Sequence, residues 1–244
     1  KRISLNFNFE EAYYQYMNMA KKLNEYHINL NFGPVVDFNI DSDKSYIARL
    51  ERSYGNNVRR VIGYAKSFIF AHNKFNIITC LEHFPGHGST NVDTHDKIAD
   101  ITQTYNKIEL IPFQRLIHEK HVNMIMISHL KNHKIDSKYP ASLSKKHIDI
   151  LINQMKYAGI IITDDLHMSS IDKNFSMNER IIKSIQAGNH ILIFANNIKN
   201  DLNIHNKFHD IVHKAIIFNE INIKKINKAY HKIIKLKNKF LKDR

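Results

Sequence analysis

Two short segments carry residue types and spacings suited to proton transfer and nucleophilic attack. The first is His83-Phe84-Pro85-Gly86-His87-Gly88, followed by Asp93-Thr94-His95-Asp96. Proline and two glycines set a tight loop in which backbone and imidazoles approach a ligand closely. In the Asp-x-His spacing a carboxylate can orient an imidazole and raise its basicity, as a proton-transferring histidine needs. A plain solvent-exposed loop has the same spacing. The second segment runs from Gly159 to Met168, where the apolar Ile160-Ile161-Ile162 delivers Thr163-Asp164-Asp165 to its end. One of these carboxylates could attack an electrophilic centre such as an anomeric carbon. The plainer use of either is to cap the next turn.

Such residues need a scaffold, and the chain reads as one α/β domain over 1–244. Short apolar runs at Ile28 to Val36, Ile77 to His83, Val122 to His129, Ile160 to Asp164 and His190 to Asn196 are the strand candidates. Amphipathic stretches at Phe9 to Glu25, Asn57 to His72, Lys107 to Glu119, Ser144 to Lys156 and Asn178 to Ala187 alternate with them. That alternation implies a parallel sheet with crossover helices. Ser144 fits an N-cap, and Gly159 and Gly188 sit where a helix ends before a strand. A basic amphipathic helix is expected at about 222–242. Every strand candidate ends in polar residues: Asp37, the His83 to His95 loop, Ser128-His129, Thr163-Asp164-Asp165 and Asn196-Asn197. In α/β barrels the site lies at the C-terminal ends of the strands, so a shared pocket is expected there.

Six segments in order carry a family resemblance. They are Gly33-Pro34-Val35-Val36-Asp37, Arg52-Ser53-Tyr54-Gly55, His83 to Gly88, Asp93-Thr94-His95, Pro140 to Ser144 and Thr163 to Met168. Over roughly residues 10–200 the chain resembles family 3 glycoside hydrolases, in particular the bacterial β-N-acetylglucosaminidases that act on peptidoglycan fragments. The resemblance implies a TIM-type (β/α) barrel and retaining hydrolysis of terminal β-linked N-acetylglucosamine without a cofactor or metal. It makes Asp164 the nucleophile and His95, oriented by Asp93, the acid/base. Arg52, His83, Glu82, Asp37 and His129 fall at sugar-binding or pocket positions. Glu82 stands where the family usually has lysine, so an acceptor replaces a donor. No Asp-Gln-Glu-Gly-Gly motif precedes Phe32, which implies a barrel lacking its first one or two strands.

Composition narrows the rest. The single cysteine, Cys80, cannot form an internal disulfide and reads as a buried core thiol. No apolar run reaches the roughly 20 residues of a membrane span. The net charge of +13 could attract polyanions. Its basic residues are spread along the chain, however, and the C-terminal concentration reads as a solvated helix face, so nucleic acid is not an expected partner; a carbohydrate is. The oligomeric state is open, and the resemblance favours the cytoplasm while leaving an exported form open. Two rival readings remain: a metal site built from His83, His87 and His95, and a vestigial barrel that binds sugar without turnover.

Overall fold

The computed structural model describes residues 2–40, 45–92, 97–197 and 200–241. Asp93 and His95 fall outside them. The chain divides into two compact units, one of residues 1–91, 103–126 and 235–244, the other of 92–102 and 127–234.

The first unit begins with α1 (Arg2–Asn6) and α2 (Phe9–Glu25). Asn8 and Glu11 form a capping box at the start of α2, each side chain satisfying the other's backbone N–H. Strand β1 (Leu30–Val35), the short α3 (Tyr46–Arg49), α4 (Val58–Asn73), β2 (Ile78–Phe84), α5 (Ile111–His118) and β3 (Met124–Ile127, its last residue across the boundary) follow. β1 and β2 pair in parallel, Leu30 opposite Ile78 and Val35 opposite Glu82. That register sets Asp37 and His83 at neighbouring strand ends. Helices α2 and α4 bury Ala12, Tyr16, Tyr64, Phe68 and Ala71 against one another, spacings of three, four and seven that put one apolar stripe on each helix. Cys80 is fully buried, as its apolar neighbours imply.

The second unit contains α6 (Lys145–Asp149), β4 (Ile160–Asp165), α7 (Ser169–Asp172), α8 (Met177–Ala187), β5 (Ile191–Ile193) and α9 (Ile204–Ile217). The long α10 (Ile223–Leu241) contributes its residues through Ile234. β4 and β5 pair in parallel. Ser144 caps α6 by accepting from His147 N. Gly188 ends α8 with φ of 117°, a left-handed position that favours glycine.

Two sequence expectations need correction. The single helix expected from Ser144 to Lys156 is a turn of α-helix followed by a wider π turn over Ile150–Gln154. The left-handed residue that ends it is Lys156, with φ of 55°, and not Gly159. Helix α9 has no counterpart in the sequence reading, because its many polar residues blur the helical period.

Among the described residues there are five strands, in the order β1-β2-β3-β4-β5. A closed (β/α)8 barrel has eight, in keeping with the expectation of a barrel short of strands.

Candidate active site

In the first unit the chemistry gathers around Asp37, a carboxylate only 1% exposed. Its Oδ1 accepts from the backbone N–H of His87 at 2.9 Å and of His83 at 3.3 Å, and its Oδ2 accepts from His83 Nδ1 at 2.7 Å. Burial pushes this carboxyl up, yet the His83 charge and the hydrogen bonds outweigh it and hold it below the usual carboxylate range. For His83 the balance is the mirror image. Burial pushes the imidazole down, while the Asp37 charge and hydrogen bond, with Glu82 behind them, push it up to about 10. His83 is therefore an imidazolium near neutral pH, donating from Nδ1 to Asp37 and lying with Nε2 3.2 Å from Glu82 Oε2. Glu82 also accepts from Arg52 at 2.9 Å. The two side chains expected to hold sugar hydroxyls thus both address the unexpected carboxylate.

The loop after β2 is built on a buried acid that sequence reasoning missed. Glu109, fully buried, accepts from Gly88 N at 2.7 Å, from Ser89 N at 3.3 Å and from Ser89 Oγ. A Cβ on Gly86, whose φ is 123°, would lie 2.6 Å from Glu109 Cβ, and one on Gly88 would run into the Phe38 carbonyl. The glycines of this motif therefore let the loop close onto Glu109. Further along, Thr90 O accepts from Tyr46 N and Asn91 O from Arg49, so the chain is held up to two residues before Asp93. Burial raises Glu109 to about 7 despite these donors. The signal available in sequence was a lone acid in the apolar stretch Ile108 to Phe113.

In the second unit β4 presents Asp164 and Asp165 at its C-terminal end, both half-buried. They divide the work. Asp165 Oδ1 accepts from His167 N at 2.9 Å and Ala195 N at 3.0 Å, so this carboxylate ties the turn after β4 to the turn after β5. Asp164 Oδ1 accepts from Asp165 N at 2.8 Å. The capping use considered for the pair thus falls on Asp165. His129, 1% exposed, lies beside them: its Nε2 donates to Asp165 O at 2.9 Å, which leaves Nδ1 to accept from Ser142 Oγ at 2.7 Å. Burial holds this ring below the usual histidine range, the nearby Asp164 charge offsetting only part of it. Both nitrogens of His129 are engaged with the protein itself. A second residue missed in sequence is Arg180, 4% exposed, which reaches from α8 to donate to Leu166 O and to pair with Asp172 at 2.7 Å. It sits on the buried face of α8 beside Ile181 and Ser184, an unusual place for an arginine.

Among the described residues no group of three or more histidine, cysteine or acidic side chains is placed to hold a metal ion, and no helix is long and apolar enough to cross a membrane.

These features define a parallel α/β fold of the TIM-barrel class, with ionisable side chains at the C-terminal ends of strands in each unit. The chain belongs to glycosyl hydrolase family 3, whose N-terminal domain model matches residues 3–236. It is 28% identical over 238 residues to Beta-hexosaminidase A of Pseudoalteromonas piscicida, covering 91% of this chain and 40% of that protein. It is 31% identical over 182 residues to a Beta-hexosaminidase of Haemophilus influenzae, covering 73% of this chain and 50% of that protein. The solved structure of a glycoside hydrolase family 3 β-N-acetylglucosaminidase from Paenibacillus sp. superposes with a TM-score of 0.87 at 25% identity, over 97% of this chain and 45% of that one. The chain thus spans half or less of the length of each of these relatives.

Proposed function

We propose that this chain is the catalytic part of a retaining glycoside hydrolase that removes terminal β-linked N-acetylglucosamine from peptidoglycan-type substrates. Asp164 attacks the anomeric carbon and forms the covalent glycosyl-enzyme intermediate. His95, oriented by Asp93, gives its proton to the departing glycosidic oxygen, and then, as neutral imidazole, takes one from the water that releases the sugar. Arg52, His83 and Glu82 bind sugar hydroxyls, and Asp37 keeps His83 charged and oriented for that task. His129 holds the end of β4 through the Asp165 carbonyl. The observation that carries this reading is that β4 delivers Asp164, half-buried, to its C-terminal end, where the sites of α/β barrels lie, while Asp165 ties two backbone N–H groups of the neighbouring turns.

The test compares hydrolysis of a chromogenic β-N-acetylglucosaminide and the matching β-glucoside by this chain, Asp164→Asn and His95→Ala. Turnover of the acetamido sugar is expected to vanish in Asp164→Asn. His95→Ala should lose most activity on substrates with poor leaving groups, since those need the proton; equal losses on good and poor leaving groups would remove His95 from the role.

One observation favours a second reading, a barrel that binds sugar without turning it over. Glu82 takes donors of both Arg52 and His83, and a sugar hydroxyl would have to compete with a carboxylate for them. That reading predicts saturable sugar binding with no turnover by well-folded protein.

A further inference from the structure

A cavity of about 460 Å³ lies wholly within the second unit, at the N-terminal end of β5 and between the last turn of α8, α9 and α10. Its volume falls in the range of about 300–1,000 Å³ common to small-molecule sites. None of the candidate active-site residues lines it. Its walls are apolar, with Leu192, Phe208, Val212 and Ile233 among them.

The charged groups around these walls are almost all of one sign, Lys145, Lys225, Lys228 and Lys232 against the single carboxylate of Asp149. That carboxylate is already paired with Lys145 at 2.5 Å. Lys225 donates to Gln186 O at 2.6 Å and Lys232 to Gly159 O at 3.2 Å, and neither carbonyl neutralises a charge. Lys228 has no ion-pair partner among the described residues. Partial burial and the lysines beside them hold both Lys225 and Lys232 below the ordinary lysine range. Lys225 and Lys228 are exposed and Lys232 half-buried, so together they rim the apolar space with a positive field that an anion would complement.

His190 adds a neutral donor. The Ile161 N–H donates to its Nδ1 at 2.9 Å, which keeps the ring proton on Nε2. Burial, with Lys232 and Lys228 nearby, holds this ring down to about 4.

We propose that the cavity binds an amphiphilic anion, a carboxylate, phosphate or sulfonate on an apolar body, with its head among Lys225, Lys228 and Lys232 and its body against Phe208 and Val212. Few, convergent polar groups on an apolar lining are what fixes the orientation of such a ligand.

The test titrates the full chain with decanoate, decyltrimethylammonium and inorganic phosphate, followed by calorimetry and by the ring protons of His190. Decanoate should saturate one site and raise the midpoint of the His190 titration, because the bound charge cancels the lysine field. The cationic amphiphile with the same tail, and phosphate alone, should each bind at least about tenfold more weakly. Lys228→Glu should weaken decanoate by at least about tenfold, while Lys224→Glu, the same charge change on α10 outside the lining, should stay within about twofold. The proposal fails if both amphiphiles bind equally, if the two lysine variants respond alike, if no titration saturates, or if sedimentation shows that a second copy of the chain fills the cavity.

Discussion

His83 and His129 are both buried at strand ends, yet they carry opposite charge states. Burial pushes each imidazole down by the same physics. His83 faces two carboxylates, Asp37 and Glu82, and is driven up to about 10. His129 faces a hydroxyl and a carbonyl, with Asp164 acting only at a distance, and stays below the usual range. The lesson is that partner chemistry, and not burial, decides what a histidine in this fold can do. His83 is a fixed cation; His129 is a neutral strut that a proton would disrupt.

The most disruptive way to break this contrast is Asp37→Asn, which leaves a buried imidazolium without its main counterion. A loss of about 3–5 kcal/mol is expected, read by urea unfolding at pH 7. Because the folded value of His83 lies above its ordinary 6.5, the stability it contributes is complete below that pH and is lost as pH rises through about 10. The variant should lack that decline, and a variant that keeps it would refute the assignment.

Glu109 sharpens the comparison with an acid. Its folded value of about 7, against an ordinary 4.5, means that protonated Glu109 favours the fold, with stability falling by about 3 kcal/mol as pH rises from 4.5 through 7. Glu109→Gln should flatten that window. It should also lower turnover, because the loop that leads to Asp93 hangs on this side chain.

Ser142→Ala removes the donor to His129 Nδ1 and leaves a buried acceptor unsatisfied, at a cost of about 1–3 kcal/mol. Protonation would turn that nitrogen into a donor facing a methyl group, so the loss should persist or grow at low pH; a loss that shrinks as pH falls would count against this geometry. Glu82→Gln should cost less stability than Asp37→Asn, since Glu82 contributes less than Asp37 to holding the charge of His83 and its other partner, Arg52, is 41% exposed. Because Glu82 binds the sugar together with Arg52 and His83, weaker binding of N-acetylglucosamine by the variant is expected. Tighter binding would show that Glu82 only competes with the sugar for the donors of Arg52 and His83.

Much of this scaffold was legible in the sequence. The Phe9–Glu25 helix matches to the residue, and the five apolar runs became strands trimmed by one to three residues at most ends, because hydrophobic period reports existence better than boundary. Asp37, His83 and the Asp164-Asp165 pair were recognisable because unusual polar residues ended apolar runs. Glu109 and Arg180 were not, since a charge on a helix ordinarily reads as solvated, and only tertiary packing turns these two inward to bind the backbone of the loops. Lys156 took the left-handed position expected of Gly159 because the helix closed three residues early through a π turn.

The claim at the centre of this account is that Asp164, and not its neighbour, forms a bond to the sugar. Incubating the chain with a fluorinated β-N-acetylglucosaminide bearing a good leaving group, which slows release of the intermediate, and sequencing the labelled peptide by mass spectrometry tests it directly. A single sugar adduct on Asp164, absent from Asp164→Asn, is expected. An adduct on Asp165, or turnover of the natural linkage that never yields an adduct and inverts the anomeric centre, would contradict it.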